Sequence, residues 1–141
     1  MVGVREADWI AYNEDLDALI VTLRGDMTAE RFIPIFYRTL EHPEFHKGIH
    51  MIWDATRAHI FRMPLSEFKE ITEHVKKTSS LRGKCNSAWL FRNLEDYRLA
   101  CMVNVLFGSL VPINYEVFQS LVEAEDWLRT LNKTTRYREL T

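Results

Sequence analysis

The stretch Ile49-His50-Met51-Ile52-Trp53-Asp54 decides the fold, because it is a short apolar run that ends at a carboxylate. Strands that are covered on both faces of a parallel sheet have this composition, whereas half-exposed strands alternate between apolar and polar residues. Two further short runs follow later in the chain, Ala88-Trp89-Leu90-Phe91 and Tyr115-Glu116-Val117-Phe118. We expect a strand at each of the three places.

A helical pattern precedes the first of these strands. Phe32 and Phe36 are four residues apart and follow Thr28, a residue type that caps helices. Pro34 lies inside this pattern and lacks a backbone N–H, so we expect a kink or a restart there. His42-Pro43 is expected to end the helix, because the residue before a proline avoids the α region.

Three more helices are predicted downstream. The second is placed by Ser66, and the third is capped by Asn93 and stops at Gly108. Ser120-Leu121-Val122-Glu123 is a capping box, which begins the last helix. The residues expected to face the core are Phe68, Ile71 and Val75 in the second helix, Leu99, Met102, Val103 and Leu106 in the third, and Ala124, Trp127, Leu128 and Leu131 in the last.

Near the N-terminus, the runs at 9–12 and 18–23 predict an antiparallel hairpin. Strands separated by helices are joined by right-handed crossovers into a largely parallel sheet. We therefore expect one α/β domain over residues 1–141, with a mostly parallel five-stranded sheet, an antiparallel N-terminal strand and four helices. If consecutive strands are neighbours, the helices share one face, and sheet curvature, a partner subunit or a ligand must cover the other.

Composition limits the classes of partner. The 141 residues contain 18 Lys and Arg against 20 Asp and Glu, a net charge of −2, which argues against a dedicated nucleic-acid binder. Residues 1–6 are not a basic region followed by an apolar run, and the least polar segment, 99–113, is shorter than the ~20 residues of a spanning helix. We expect a cytoplasmic protein with reduced Cys85 and Cys101 and at most peripheral membrane contact.

Three motifs occur in a specific order and spacing. They are Leu19-Ile20-Val21-Thr22-Leu23-Arg24-Gly25 with Thr28 three residues on, then Met51-Ile52-Trp53-Asp54, and then the segment Val117–Leu128 with its Phe, Glu-Ala and Trp-Leu pattern. From about Trp9 to Leu131 the chain resembles the SpoIIAA-like family, bacterial single-domain proteins similar to the STAS (anti-sigma-factor antagonist) and CRAL-TRIO lipid-binding folds. This resemblance implies a right-handed β-α superhelix and a non-enzymatic role, in which members carry or sense something apolar or switch partners.

The resemblance also suggests phosphorylation sites. In the STAS relatives, a phosphorylatable Ser or Thr sits at the start of the helix that follows the central strand. Here Thr56 comes just after the predicted strand, but about eight residues separate it from the next helix, so a phosphate there would gain little from a helix dipole. Thr56 and Ser66 remain the two candidates.

An anion site is a second candidate. Asp54 ends the central strand, at the carboxyl edge where α/β sheets place functional groups. Arg57, His59 and Arg62 follow, and guanidinium forks suit phosphate or carboxylate. The alternative is that Asp54 caps the backbone of the loop and the cations are solvated.

Metal and catalytic chemistry have weaker support. His42, His46 and His50 recur every four residues, but Pro43 and Gly48 break any helix that would align them, so we expect loop histidines and no metal. Motifs of P-loops, dinucleotide folds and serine hydrolases are missing from the sequence. We expect no cofactor and no enzymatic activity.

The apolar residues between the central strand and the second helix support a binding function. Phe61, Met63 and Leu65 fall where a loop is predicted, and apolar side chains are scarce in loops. With Met102 and Leu106 of the third helix, they are the candidates for a hydrophobic ligand site or a subunit contact. We expect a module that holds an apolar small molecule or lipid between its sheet and a mobile helix. The alternative is a protein-interaction or signalling module that forms a homodimer or switches partners.

Overall fold

A computed structural model describes the chain over residues 9–111 and 113–140, with side chains described as far as residue 132. Over these ranges the strands are β1 (Ile10–Asn13), β2 (Ala18–Asp26), β3 (His50–His59), β4 (Asn86–Leu90) and β5 (Asn114–Phe118). The α-helices are α1 (Ala29–Glu41), α2 (Leu65–Arg82), α3 (Leu94–Phe107) and α4 (Leu121–Leu140), and a 3₁₀ turn, Gly108–Leu110, follows α3.

The five strands form one sheet in the order β1-β2-β3-β4-β5. β1 is antiparallel to β2, and all the other pairs are parallel. In the central register, Ile52 of β3 lies between Ile20 of β2 and Ala88 of β4. The predicted fold class is confirmed, including the antiparallel N-terminal strand.

Helices α1, α2 and α3 cover one face of the sheet. Phe32 of α1 packs against Trp53 of β3 and Trp89 of β4, with ring centroids 5.1 and 5.6 Å apart. The two indoles stack on each other at 5.2 Å. Aromatic pairs in such geometries add to the stabilisation from buried area, so these rings fix α1 on the centre of the sheet.

Helix α4 covers the opposite face. Leu128 and Ala124 of α4 are fully buried with Ile52 and Leu90, whose side chains point away from α1–α3. The expectation that curvature, a partner or a ligand covers this face is therefore wrong for the central strands. Ser120 caps this helix as predicted, because its Oγ accepts the N–H of Glu123 at 3.2 Å.

Several local predictions need correction. Helix α1 continues through Pro34 without a break. Both Pro34 and Glu30, whose carbonyl loses its helical partner, are exposed, so water can hydrate that carbonyl. Ser66 does not cap α2, which begins at Leu65 after Pro64. Thr28 and Asn93 cap α1 and α3 through their side chains as predicted.

The central strand is longer than predicted. β3 continues through Thr56 and Arg57 to His59, because β2 extends to Asp26 and pairs with it that far. The connection to α2 shortens to residues 60–64, so Thr56 and Arg57 are strand residues rather than loop residues.

The orientation of α3 also differs from the prediction. The sequence predicts that Met102 and Leu106 face the core, but both are exposed, and only Asp96 and Ala100 of α3 are buried. Apolar residues occupy nearly all sides of this helix, so its sequence period does not select a face.

Candidate functional site

An apolar cavity of about 130 Å³ lies between the sheet and helices α1, α2 and α3. The sheet side is formed by Trp53, Trp89, Tyr115 and Val117, and the helix side by Phe36, Phe68, Val75, Ala100, Val103 and Phe107. Its walls are almost entirely carbon, as in typical sites for small apolar ligands.

The cavity exists because α3 packs incompletely on the sheet. The α3 residues at its wall include the small Ala100 and, just after the helix, Gly108. Only two residues of α3, Asp96 and Ala100, are buried, and Asp96 is polar. Side chains of this size leave space between α3 and the large rings of Trp89 and Phe91.

Two polar side chains of the wall already donate hydrogen bonds to backbone carbonyls. Asn104 Nδ2 donates to the carbonyl of Tyr115 at 3.3 Å, and Thr72 Oγ1 donates to the carbonyl of Phe68 at 2.9 Å. The phenol of Tyr115 differs, because no hydrogen-bond partner of its oxygen is found among the described residues. Burial raises the pKa of Tyr115 far above its usual value, so the group is a neutral donor.

A buried carboxylate holds the loop over one end of the cavity. Oδ1 of Asp96, which is 1% exposed, accepts the backbone N–H groups of Ile60 and Phe61, both at 3.0 Å. Oδ2 lies 3.1 Å from Nδ1 of His59. Ile60 and Met63 of this loop line the cavity, so Asp96 fixes part of its wall.

Asp96 was not predicted from the sequence. It stands three residues after the cap Asn93, where an acidic side chain usually bonds back to the cap residue. Such a local pattern gives no information about a hydrogen-bond partner 36 residues away.

The five predicted hydrophobic residues separate into two groups. Met63 is buried and lines the cavity. Phe61, Leu65, Met102 and Leu106 are exposed and do not line it. These four residues form outer surfaces of the 60–65 segment and of α3.

The predicted anion residues are not brought into one site. Asp54 Oδ1 accepts both the hydroxyl and the backbone N–H of Thr56, at 2.6 and 3.0 Å. Arg62 lies over the ring of Phe61, with its Cζ 5.4 Å from the centroid. Within the described ranges Asp54 forms no ion pair with Arg57 or Arg62, so the carboxylate acts on the local backbone.

The two phosphorylation candidates lie in different settings. The Thr56 hydroxyl is on a strand and is bonded to Asp54. Ser66 is exposed in the first turn of α2, where a phosphate gains from the helix dipole. Phosphorylation of Thr56 or Ser66 stays a prediction.

The three histidines have separate partners. His42 Nδ1 accepts the N–H of Glu44, and His46 Nε2 lies 2.7 Å from Asp17 Oδ1. His50 connects the N–H of Asn86 to Oδ1 of Asn132 on α4. In the part of the chain that the structure describes, no group of three His, Cys, Asp or Glu side chains is arranged to hold a metal ion.

An uncharged surface covers the outer side of the C-terminal half of α3. Val105 is 81% exposed, and Met102, Leu106 and Leu110 are about half exposed. The segment from Leu99 to Ile113 contains no charged residue. Among the described helices, none is both long and apolar enough to cross a membrane.

Comparison with solved structures identifies the fold. The chain is similar to an uncharacterized protein of the DUF3478 family with a SpoIIAA-like fold, from Shewanella loihica PV-4. The two chains are 18% identical, with a TM-score of 0.55, over 84% of this chain and 90% of the other. No family model and no curated protein sequence matches this chain. The protein therefore has the SpoIIAA-like fold that its motifs predicted.

Proposed function

We propose that this domain is a non-enzymatic binding module that holds a small apolar molecule in the cavity between the sheet and α1–α3. The observation that carries the proposal is the cavity itself, because ligand sites are concave, mostly apolar and few in each protein. The cavity is partly open and has an almost entirely apolar wall, which is the usual form of a site for a small apolar ligand.

The volume of the cavity favours a guest with a single ring over a guest with an acyl chain. Its volume is near that of an engineered apolar cavity of roughly 150 Å³ that binds benzene. Sites for drug-sized ligands start at roughly 300 Å³. A lipid chain would fit only if α3 moved outward, so the small-molecule form of the proposal is the one that the geometry favours.

The polar groups of the wall support binding rather than catalysis. Asn104 and Thr72 are bonded to backbone carbonyls, and the remaining phenol of Tyr115 is held neutral. A reaction site usually combines a nucleophile, a base and an oxyanion donor within bonding distance. The cavity wall has no such combination among the described residues.

Binding of toluene tests the proposal. We expect toluene to raise the melting temperature of the protein increasingly as its concentration exceeds the dissociation constant, since a ligand that binds only the folded state stabilises it. Val103→Phe fills the cavity from its wall and should remove this effect. Val105→Phe, on the exposed side of the same helix, is the matched control and should retain it. Equal responses of both variants, or no response of the parent protein, would contradict the proposal.

A second candidate function is self-association through the outer side of α3. The exposed Met102, Val105, Leu106 and Leu110 support it, because the segment 99–113 that contains them has no charged residue. Val105→Glu places a carboxylate in the middle of this surface and should convert a dimer to a monomer in sedimentation velocity. Phe61→Glu tests the other exposed candidate in the same way. A parent protein that sediments as a monomer at all concentrations would remove this candidate.

A further inference from the structure

The wall of the cavity contains hydrogen-bond donors that the protein itself does not use. The indole nitrogens of Trp53 and Trp89 and the hydroxyl of Tyr115 belong to residues that line the cavity. None of these three groups has a hydrogen-bond partner among the described residues. A buried indole N–H or phenol usually finds an acceptor, so three unpaired donors around one cavity are unusual.

The Trp53 indole borders open space although the residue is deeply buried. Trp53 is 2% exposed and packs against the rings of Phe32 and Phe36 at the centre of the sheet. Within the described ranges, the one side-chain nitrogen or oxygen that is both fully enclosed by protein and without a partner is Nε of Arg82. The unpaired nitrogen of Trp53 is therefore not fully enclosed. Since Trp53 lines the cavity, the cavity is the open space that its N–H borders.

The Tyr115 hydroxyl supplies a second donor on the β5 side of the cavity. Its oxygen is also unpaired and not fully enclosed, and Tyr115 is part of the cavity wall. Burial raises the pKa of the Tyr115 phenol far above its usual value. The group therefore keeps its proton at neutral pH and is able to donate it to a hydrogen bond.

The wall offers these donors without any charge. The described residues that line the cavity include no Asp, Glu, Lys, Arg or His. Moving an isolated ion into an apolar space costs far more free energy than moving a neutral polar group that finds a hydrogen bond there. A carbonyl oxygen loses its hydrogen bonds to water on entry and regains one from the wall. Free donors and the absence of charge thus favour the same class of guest.

We propose that the guest is a small uncharged ring compound with a carbonyl oxygen, such as an aromatic aldehyde or ketone, and that this oxygen accepts a hydrogen bond from the Tyr115 hydroxyl or the Trp53 indole. The ring fills the apolar space beside Phe36 and Val103. The inference rests on the proposed function, because it requires that the cavity takes up a guest.

Two guests of one shape test the inference. Styrene and benzaldehyde are planar and differ only in a terminal CH₂ group against an oxygen, and calorimetry at neutral pH compares their dissociation constants. If the donors face only neighbouring rings, benzaldehyde should bind at least about tenfold more weakly than styrene, because its carbonyl leaves water without a new partner. We expect benzaldehyde to bind more tightly than styrene, or no more than about threefold more weakly.

Two further measurements locate the donor. Tyr115→Phe removes only the hydroxyl and should weaken benzaldehyde binding about fivefold, as one hydrogen bond would give, with styrene binding unchanged. In isotopically labelled protein, nuclear magnetic resonance follows the indole N–H of Trp53, which should shift more with benzaldehyde than with styrene where the indole is the donor. Val103→Phe fills the cavity and is the control. Benzaldehyde that this variant still binds reacts with amines outside the cavity and is subtracted.

The outcomes distinguish the two proposals. Toluene and styrene binding that Val103→Phe removes, with benzaldehyde weaker than the threefold limit, overturns the carbonyl inference and leaves the proposed function intact. Failure of toluene, styrene and benzaldehyde to bind overturns both. Benzaldehyde binding that neither Tyr115→Phe nor the Trp53 resonance registers also overturns the inference, because the oxygen then binds elsewhere. Benzoate that binds more tightly than benzaldehyde overturns it too, since the favoured guest is then charged.

Discussion

Oδ1 of Asp96 lies 3.0 Å from the backbone nitrogen of Ile60, a contact across 36 residues that joins the start of α3 to the end of β3. The same oxygen accepts the N–H of Phe61. A buried carboxylate that accepts backbone donors is a strong contact, and its loss leaves those donors unpaired.

Asp96→Ala is therefore expected to lower the free energy of unfolding by about 2–4 kcal/mol. Urea denaturation followed by tryptophan fluorescence measures the change. Asp96→Asn is the control, since its amide oxygen can still accept both N–H groups and should cost clearly less. Equal losses in the two variants would show that the charge, rather than the two backbone bonds, stabilises the loop.

Filling the cavity should affect stability as well as binding. We expect Val103→Phe to raise the free energy of unfolding by about 0.5–2 kcal/mol, the usual gain from filling a void. Val105→Phe adds the same atoms on the exposed side and should change it by less than about 0.5 kcal/mol. Urea denaturation measures both variants. A large decrease in the free energy of unfolding of Val103→Phe would mean that the cavity cannot accommodate the added ring.

Helix α4 should contribute strongly to stability through its buried side. Leu128 is fully buried against the second face of the sheet, so Leu128→Ala should cost about 2–5 kcal/mol. Leu121, in the first turn of the same helix, is 40% exposed, and Leu121→Ala should cost far less. Thermal unfolding by circular dichroism compares the two. Similar melting temperatures would argue that α4 is dispensable for the sheet.

The pair of His46 and Asp17 predicts a small dependence of stability on pH. The hydrogen bond to Asp17 raises the pKa of His46 above its usual value of 6.5 in the folded protein. The resulting stabilisation is fully present below the unfolded pKa and is lost as the pH rises through the raised folded pKa. Both side chains are about half exposed, so solvent screens the pair and limits its contribution to under about 1 kcal/mol.

Comparing the parent protein with Asp17→Asn measures this contribution. Asn also tolerates the left-handed backbone that residue 17 adopts, with φ of 52°, so the substitution removes mainly the charge. We expect the difference in unfolding free energy to be larger at about pH 5.5 than at about pH 8.5. A difference that grows with pH would have the wrong sign and would exclude this origin.

The sheet could be predicted because its central strands are apolar on both faces. Ile52 is buried on one face of β3, and Met51 and Trp53 are buried on the other, so this segment is recognisable as a strand without knowledge of its neighbours. The caps Thr28, Asn93 and Ser120 were also predictable, because each bonds to a backbone N–H two or three residues away. Hydrogen bonds between residues this close along the chain can be predicted from the sequence alone.

The rest depends on contacts between distant segments. Arg82 reaches Thr39 across 43 residues, as Asp96 reaches Ile60 across 36. The extension of β3 to His59 follows from its pairing with Asp26 of β2. The exposed side of α3 was mispredicted because Met102 and Leu106 are as apolar as Val103, and only the packing determines which of them lies inside.

The position of α4 has a consequence for biosynthesis. This helix follows every strand in the chain, yet its Leu128 is what covers Ile52 and Leu90. On a ribosome the N-terminal elements emerge first, so β1 to β5 can pair before their cover exists. In a nascent chain that pauses just before α4 leaves the exit tunnel, one face of the sheet would be exposed to solvent. A chaperone that binds apolar surface would bind most readily at this stage.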